Sequence, residues 1–123
     1  MKKHKNIYII LGVIAFLIVL SLSGRFLNKD SATNMIFFYG DTCPHCKDVE
    51  EYIVKNNIKA KLSFKELEVY NNRGNAILLT AKAKACGLET AQGVPVPFFF
   101  DGQNCHVGSD KIEEFFAPYI TQN

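Results

Sequence analysis

Between Lys5 and Arg25 the chain runs for 19 residues without a charged side chain, most of them Ile, Leu, Val or Phe. As a helix this stretch would extend roughly 29 Å at about 1.5 Å per residue, close to the thickness of a bilayer's hydrocarbon core. It predicts a membrane-spanning anchor within residues 1–28. The alternative is a cleaved secretory signal, with Lys2, Lys3 and Lys5 as its charged start and "SLSG" (21–24) as its small-residue end. The apolar run Ile7 to Leu22 is long for such a signal and has no break before that site, which favours a retained anchor. Without a cysteine close behind the run, a lipoprotein anchor is not expected. Basic residues stay on the cytoplasmic side, so everything after Arg25 is expected outside the cytoplasm. The expected location is the cell membrane, crossed once, or the exported space if the segment is removed.

The rest of the 123 residues suffices for one domain with one core. Its charge differs from that of the whole chain: residues 29–123 hold ten Lys and Arg against all twelve Asp and Glu, a net of −2, although the full chain carries +2. A domain without a basic surface is a poor partner for nucleic acid.

The polar stretch "NKDSATN" (28–34) has no apolar period, and residues 29–34 read as a tether to a domain over 35–123. "MIFFY" (35–39) is a continuous apolar run ending at Gly40, as a strand buried on both faces would be. From Pro44 the period becomes helical, with Val49, Tyr52 and Ile53 between charged neighbours, and proline suits the first helical turn. "KLSFKELEVY" (61–70) reads as a second strand and "NAILLTAKAKACG" (75–87) as a helix closed by Gly87. "ETAQGVPVP" is a loop, and "FFFDGQNCHVG" (98–108) gives two antiparallel strands about an Asp-Gly turn. "SDKIEEFFAPYI" (109–120) closes the chain as a helix, with Ser109 or Asp110 expected as its cap and Pro118 expected to distort its end. The order is β-α-β-α-β-β-α.

In this order Cys43 falls between the end of a buried strand and the start of a helix, and Cys46 follows one turn later. Unpaired N–H groups and the helix dipole favour an anion there, and thiolates in Cys-X-X-Cys motifs at helix starts are stabilised in this way. Cys43 is therefore the expected nucleophile and Cys46 the resolving thiol. Pro44 and His45 are the expected tuning residues, since a protonated imidazole adds favourable charge.

"GDTCPHCKD" (40–48) together with "GVPV" (93–96) resembles the thioredoxin superfamily, and the element order is similar to its minimal, glutaredoxin-sized form. Cys-Pro-His-Cys is the pattern of the exported disulfide oxidant DsbA and its relatives. The resemblance covers residues 35–120. It implies an α/β, thioredoxin-like fold after the N-terminal transmembrane helix. The activity implied is thiol–disulfide oxidoreduction, with protein thiols and disulfides as partners and a membrane disulfide-generating or reducing protein as electron partner. The Cys43–Cys46 disulfide would itself be the redox group, with no added cofactor. The resemblance further implies a cis proline facing the cysteines, expected at Pro95, which makes Val94 the residue whose backbone pairs with an extended substrate. Three features depart from the pattern. Thr42 stands where relatives carry tryptophan, Phe37 where they bury a carboxylate, and the helical insert that forms DsbA's peptide groove is missing.

Cys86 and Cys105 read first as small half-buried hydrophobes, with a second disulfide or an electron relay as alternatives. A zinc site is disfavoured, because His45 lies between the cysteines and Cys105-His106 has no spacer. His106 reads as an exposed strand residue. Glu66 and Glu68 read as solvated, with a proton-accepting role near Cys46 as the alternative. Beside the oxidoreductase stands one reading of another class, a non-catalytic binding or structural module in which Cys43 and Cys46 form a static staple.

Overall fold

The computed structural model describes residues 2–23 and 34–121, and the chain divides into two compact units, Met1–Asp30 and Ser31–Asn123. The tether expected over 29–34 lies outside the described residues except for Asn34. In the first unit, α1 (Lys2–Ser23) is a single helix whose length, at about 1.5 Å per residue, is roughly 33 Å. Its window His4–Ser21 has a mean hydropathy of 1.9, and its large apolar side chains from Ile7 to Leu20 are exposed. It is long and apolar enough to cross a membrane.

The second unit is a mixed four-stranded sheet in the order β2-β1-β3-β4. The central strand β1 (Ile36–Tyr39) pairs parallel with β2 (Lys65–Glu68) and antiparallel with β3 (Phe98–Phe100), which pairs antiparallel with β4 (Cys105–Val107). Alternation sorts the aromatic side chains to the two faces. Phe37 and Phe99, directly opposite in register, pack with Val49 and Ile53 of α2 (Pro44–Lys55) and with Ile112 and Phe116 of α5 (Ser109–Ile120). Ile36, Phe38, Phe98 and Phe100 face Leu79 and Ala83 of α4 (Arg73–Ala85). The result is three layers, with helices on both faces of the sheet. Phe37, Phe38, Phe98, Phe99 and Phe116 are fully buried. At about 1.5 to 3 kcal/mol for each such side chain, these five dominate the favourable term of so small a core.

Four expectations need correction. The segment before β2 is a short helix, α3 (Ile58–Lys61), and the strand is confined to Lys65–Glu68. Asn57, left-handed at φ 53°, turns the chain so that Ile58 enters the core completely, and the strand expected over 61–70 starts only after α3 has ended. The cap of α5 is Gly108, with neither Ser109 nor Asp110 supplying a side-chain cap. The helix runs through Pro118 to Ile120, since a proline in the last turn removes only one helical bond. Finally, Cys86 and Cys105 are joined in a disulfide, their Cα atoms 6.1 Å apart. Cys86 caps the end of α4 and Cys105 opens the edge strand β4, so the bridge ties a strand with a single ladder neighbour to a helix.

Candidate functional site

The chain leaves β1 at Tyr39 and turns through Gly40, where the Cys43 N–H donates to the Gly40 carbonyl at 3.2 Å. Cys43 is the N-cap of α2, in extended conformation (φ −89°, ψ 113°), with Pro44 in the first helical turn. Its sulfur accepts the backbone N–H of Cys46 at 3.2 Å, as a capping oxygen would, satisfying one of the helix's unpaired donors. The two cysteines form a disulfide with Cα atoms 5.2 Å apart. Cys46 has no exposed surface and Cys43 retains 6%. Of the two cysteines, Cys43 alone keeps any surface that solvent reaches. His45 lies on the exposed side of the first turn, its Nδ1 3.6 Å from Asp48 Oδ2.

The sheet topology decides what flanks this disulfide. β2 runs parallel to β1, so its carboxyl end emerges at the same sheet end as Cys43, while the antiparallel β3 enters there. The end carries, in order, the segment after Glu68, the Gly40–Cys43 turn, the approach to Phe98, and the Val107–Gly108 entry to α5. A groove of about 370 Å³ lies beside the disulfide, lined by His45, Val96, Pro97, Val107, Gly108 and Ser109 among others.

Here the expected proline is corrected. The cis bond is Val96–Pro97, and Pro95, expected to hold that place, is exposed with Val94 half-buried against the α4 face of the core. The Val96 carbonyl oxygen lies 3.8 Å from Cys43 Sγ, whereas Pro97 is buried and its carbonyl accepts the Gly108 N–H at 2.9 Å. The ambiguity came from "VPVP", since a shift of two residues preserves both the motif and the face of the chain. The three-residue length of β3 and the burial of its first neighbour settle it.

No buried polar or charged side chain occurs among the described residues, and fully buried Phe37 occupies its place beneath the sheet end. Glu66 is engaged by Lys59 Nζ at 2.5 Å, and Glu68 accepts the N–H groups of Tyr70 and Asn71 at 2.6 and 2.9 Å. Burial alone would raise the Glu68 carboxyl, but the backbone N–H groups of Asn71 and Tyr70, joined by those of Asp41 and Asn72, outweigh it and hold the group below its ordinary value. Neither carboxylate is committed to Cys46. His106, expected to be exposed, is instead half-buried, its Nε2 2.9 Å from Asp101 Oδ2 and its ring 4.6 Å from that of Phe115. The strand's outer face is covered because α5 folds back over it. Among the described residues no group of three or more His, Cys, Asp or Glu side chains is arranged to hold a metal.

No protein-family model and no curated protein matches this chain. Among solved structures, a wheat glutaredoxin is similar to it, with 19% sequence identity and a TM-score of 0.50 over 72% of this chain and 73% of that one. The fold is thioredoxin-like. In such a fold a Cys-X-X-Cys disulfide at the start of the first domain helix, with Cys43 its less buried member, is consistent with thiol–disulfide exchange.

Proposed function

We propose that this chain is a membrane-anchored thiol–disulfide oxidoreductase of the DsbA-like kind, working outside the cytoplasm. One observation carries the reading: Cys43 caps α2 with its own sulfur, so the thiolate released on reduction inherits the Cys46 N–H and the positive end of the helix dipole. Stabilising that thiolate stabilises the reduced couple, which makes the disulfide an oxidant. A substrate thiolate attacks Cys43 Sγ, the Cys43–Cys46 bond breaks, and Cys46 leaves as a thiolate that takes a proton from water. The second substrate thiolate then attacks the substrate sulfur of the mixed disulfide, forming the new bond and releasing the Cys43 thiolate. Two electrons pass to the couple, and a membrane disulfide-generating partner takes them on. The Val96 carbonyl, next to Cys43, is the backbone group available to an extended substrate, a role expected of Val94 from the sequence. Helix α1, apolar all round, is the anchor, with Lys2, Lys3 and Lys5 holding its start on the cytoplasmic side.

The test is a full-length Cys46→Ser chain in its native membrane. Alkylation of Cys43 should titrate well below an ordinary thiol's value of about 8.5, and a protein should remain disulfide-linked to Cys43. An ordinary titration with nothing trapped would mark the bridge as a static staple and end the proposal.

A further inference from the structure

Tyr70 is a large side chain placed against the active-site turn and left 55% exposed. Its ring atoms Cδ2, Cε2 and Cζ stand where a Cβ on Gly40 would be, so glycine is required there by the ring's approach. The segment that carries it is held at several points. The β1–β2 pairing extends to the Val69 N–H on the Tyr39 carbonyl (2.9 Å), and the Glu68 carboxylate takes the N–H groups of Tyr70 and Asn71. Asn71 Nδ2 donates to Asp41 Oδ2 at 2.7 Å, and Asn75 Nδ2 donates to the Glu68 carbonyl at 2.8 Å. These bonds fix the backbone without covering the ring.

We infer that Tyr70 is a specificity-determining residue of the exchange reaction, an aromatic wall that receives the substrate residue flanking the cysteine bound to Cys43. The inference rests on the oxidoreductase reading. Because β2, β1 and β3 are neighbours in that order, Tyr70 and Val96 lie on opposite sides of Cys43 along one sheet end. A chain crossing Cys43 and pairing with Val96 runs on toward the Tyr70 ring. Gly40 and Cys43 close a turn, which holds their Cα atoms within about 7 Å, so the glycine that the ring packs on is about two residues of extended chain from Cys43. An aromatic ring offers large contact area at little entropy cost, and favours apolar or aromatic side chains in that position. A small disulfide that carries no residue to place there gains nothing from it.

The experiment compares two substrates on the full-length chain in detergent, reduced and regenerated by dithiothreitol. One is a disulfide-linked peptide with phenylalanine beside each cysteine, the other 2-hydroxyethyl disulfide. In each turnover the Cys43 thiolate cleaves the substrate disulfide and Cys46 resolves the mixed disulfide, yielding two substrate thiols and the oxidised couple. Tyr70→Ala should lower the ratio of kcat/KM for the peptide over the small disulfide about tenfold, through KM, while Tyr70→Phe keeps the wild-type ratio. An unchanged ratio for Tyr70→Ala overturns the inference and leaves the oxidoreductase reading standing. So does a fall in both rates accompanied by a shifted Cys43–Cys46 potential, since the ring would then act through the turn. A wild-type chain that turns over neither substrate and also fails to oxidise the reduced peptide overturns the oxidoreductase reading and this inference with it.

Discussion

The two disulfides of this domain sit at opposite ends of helices, and under the proposed function that difference separates a couple that cycles from one that holds. Cys43 lies at the start of α2 and its sulfur receives an N–H, whereas Cys86 lies at the end of α4, where unpaired carbonyls and the negative dipole end disfavour a thiolate. Across the second bridge, Cys105 Sγ is 3.5 Å from the Lys82 carbonyl oxygen. Loop length points the same way. A bridge spanning three positions constrains the unfolded chain by about 2 kcal/mol in the chain-entropy model, one spanning 19 by about 3. The first bridge stabilises little and releases a favoured anion, while the second stabilises more and would release disfavoured ones.

The largest expected effect is in reduction. Titrated in glutathione buffers of graded poise, Cys43–Cys46 should open at a potential about 100 mV above Cys86–Cys105, and Cys43→Ser should abolish exchange while the Cys86→Ser/Cys105→Ser pair retains it. Simultaneous opening of both bridges would erase the distinction.

Stability should divide the other way. Removing Cys86 and Cys105 together should lower unfolding stability by about 3 kcal/mol, roughly 15 °C in Tm for a domain of this size, and removing Cys43 and Cys46 by no more than about 2 kcal/mol. Equal losses in thermal unfolding would mean that the second bridge is no staple.

The smallest effect concerns the turn that positions Cys105. Burial alone would raise the Asp101 carboxyl, but hydrogen bonds from the Asn104 N–H, His106 and the Gln103 N–H outweigh it and hold it below its ordinary value. The folded state therefore binds fewer protons there than the unfolded chain does. The resulting stabilisation is full above the ordinary carboxylate range and fades as pH falls through it to the lowered folded value. Asp101→Asn should cost about 1 kcal/mol at neutral pH and flatten that acid-side slope. An unchanged slope would place the acid sensitivity elsewhere.

Periodicity and local chemistry were enough to read much of this from the sequence. The apolar run of α1, the buried β1, the Cys43 helix start, the α4 helix closed by Gly87 and the β3–β4 hairpin all follow from contacts within a few residues along the chain. What failed were features fixed by distant partners. The strand expected over 61–70 shrinks to Lys65–Glu68, the length that pairs with β1, and a repeat of two residues leaves "VPVP" without an internal register until Pro97 is buried and Gly108 bonds to it. Cys86 and Cys105 are 19 positions apart with nothing between them to announce a contact; they meet because α4 covers the same face that β4 extends. Tyr70 carries no motif at all, and only the parallel β1–β2 pairing brings it onto Gly40. Sequence by itself determined which sulfur stands at the helix start, because the cap and the dipole are local. Only the tertiary structure decided what stands on either side of that sulfur, because strand order, and with it the choice of neighbours, is a property of the folded sheet.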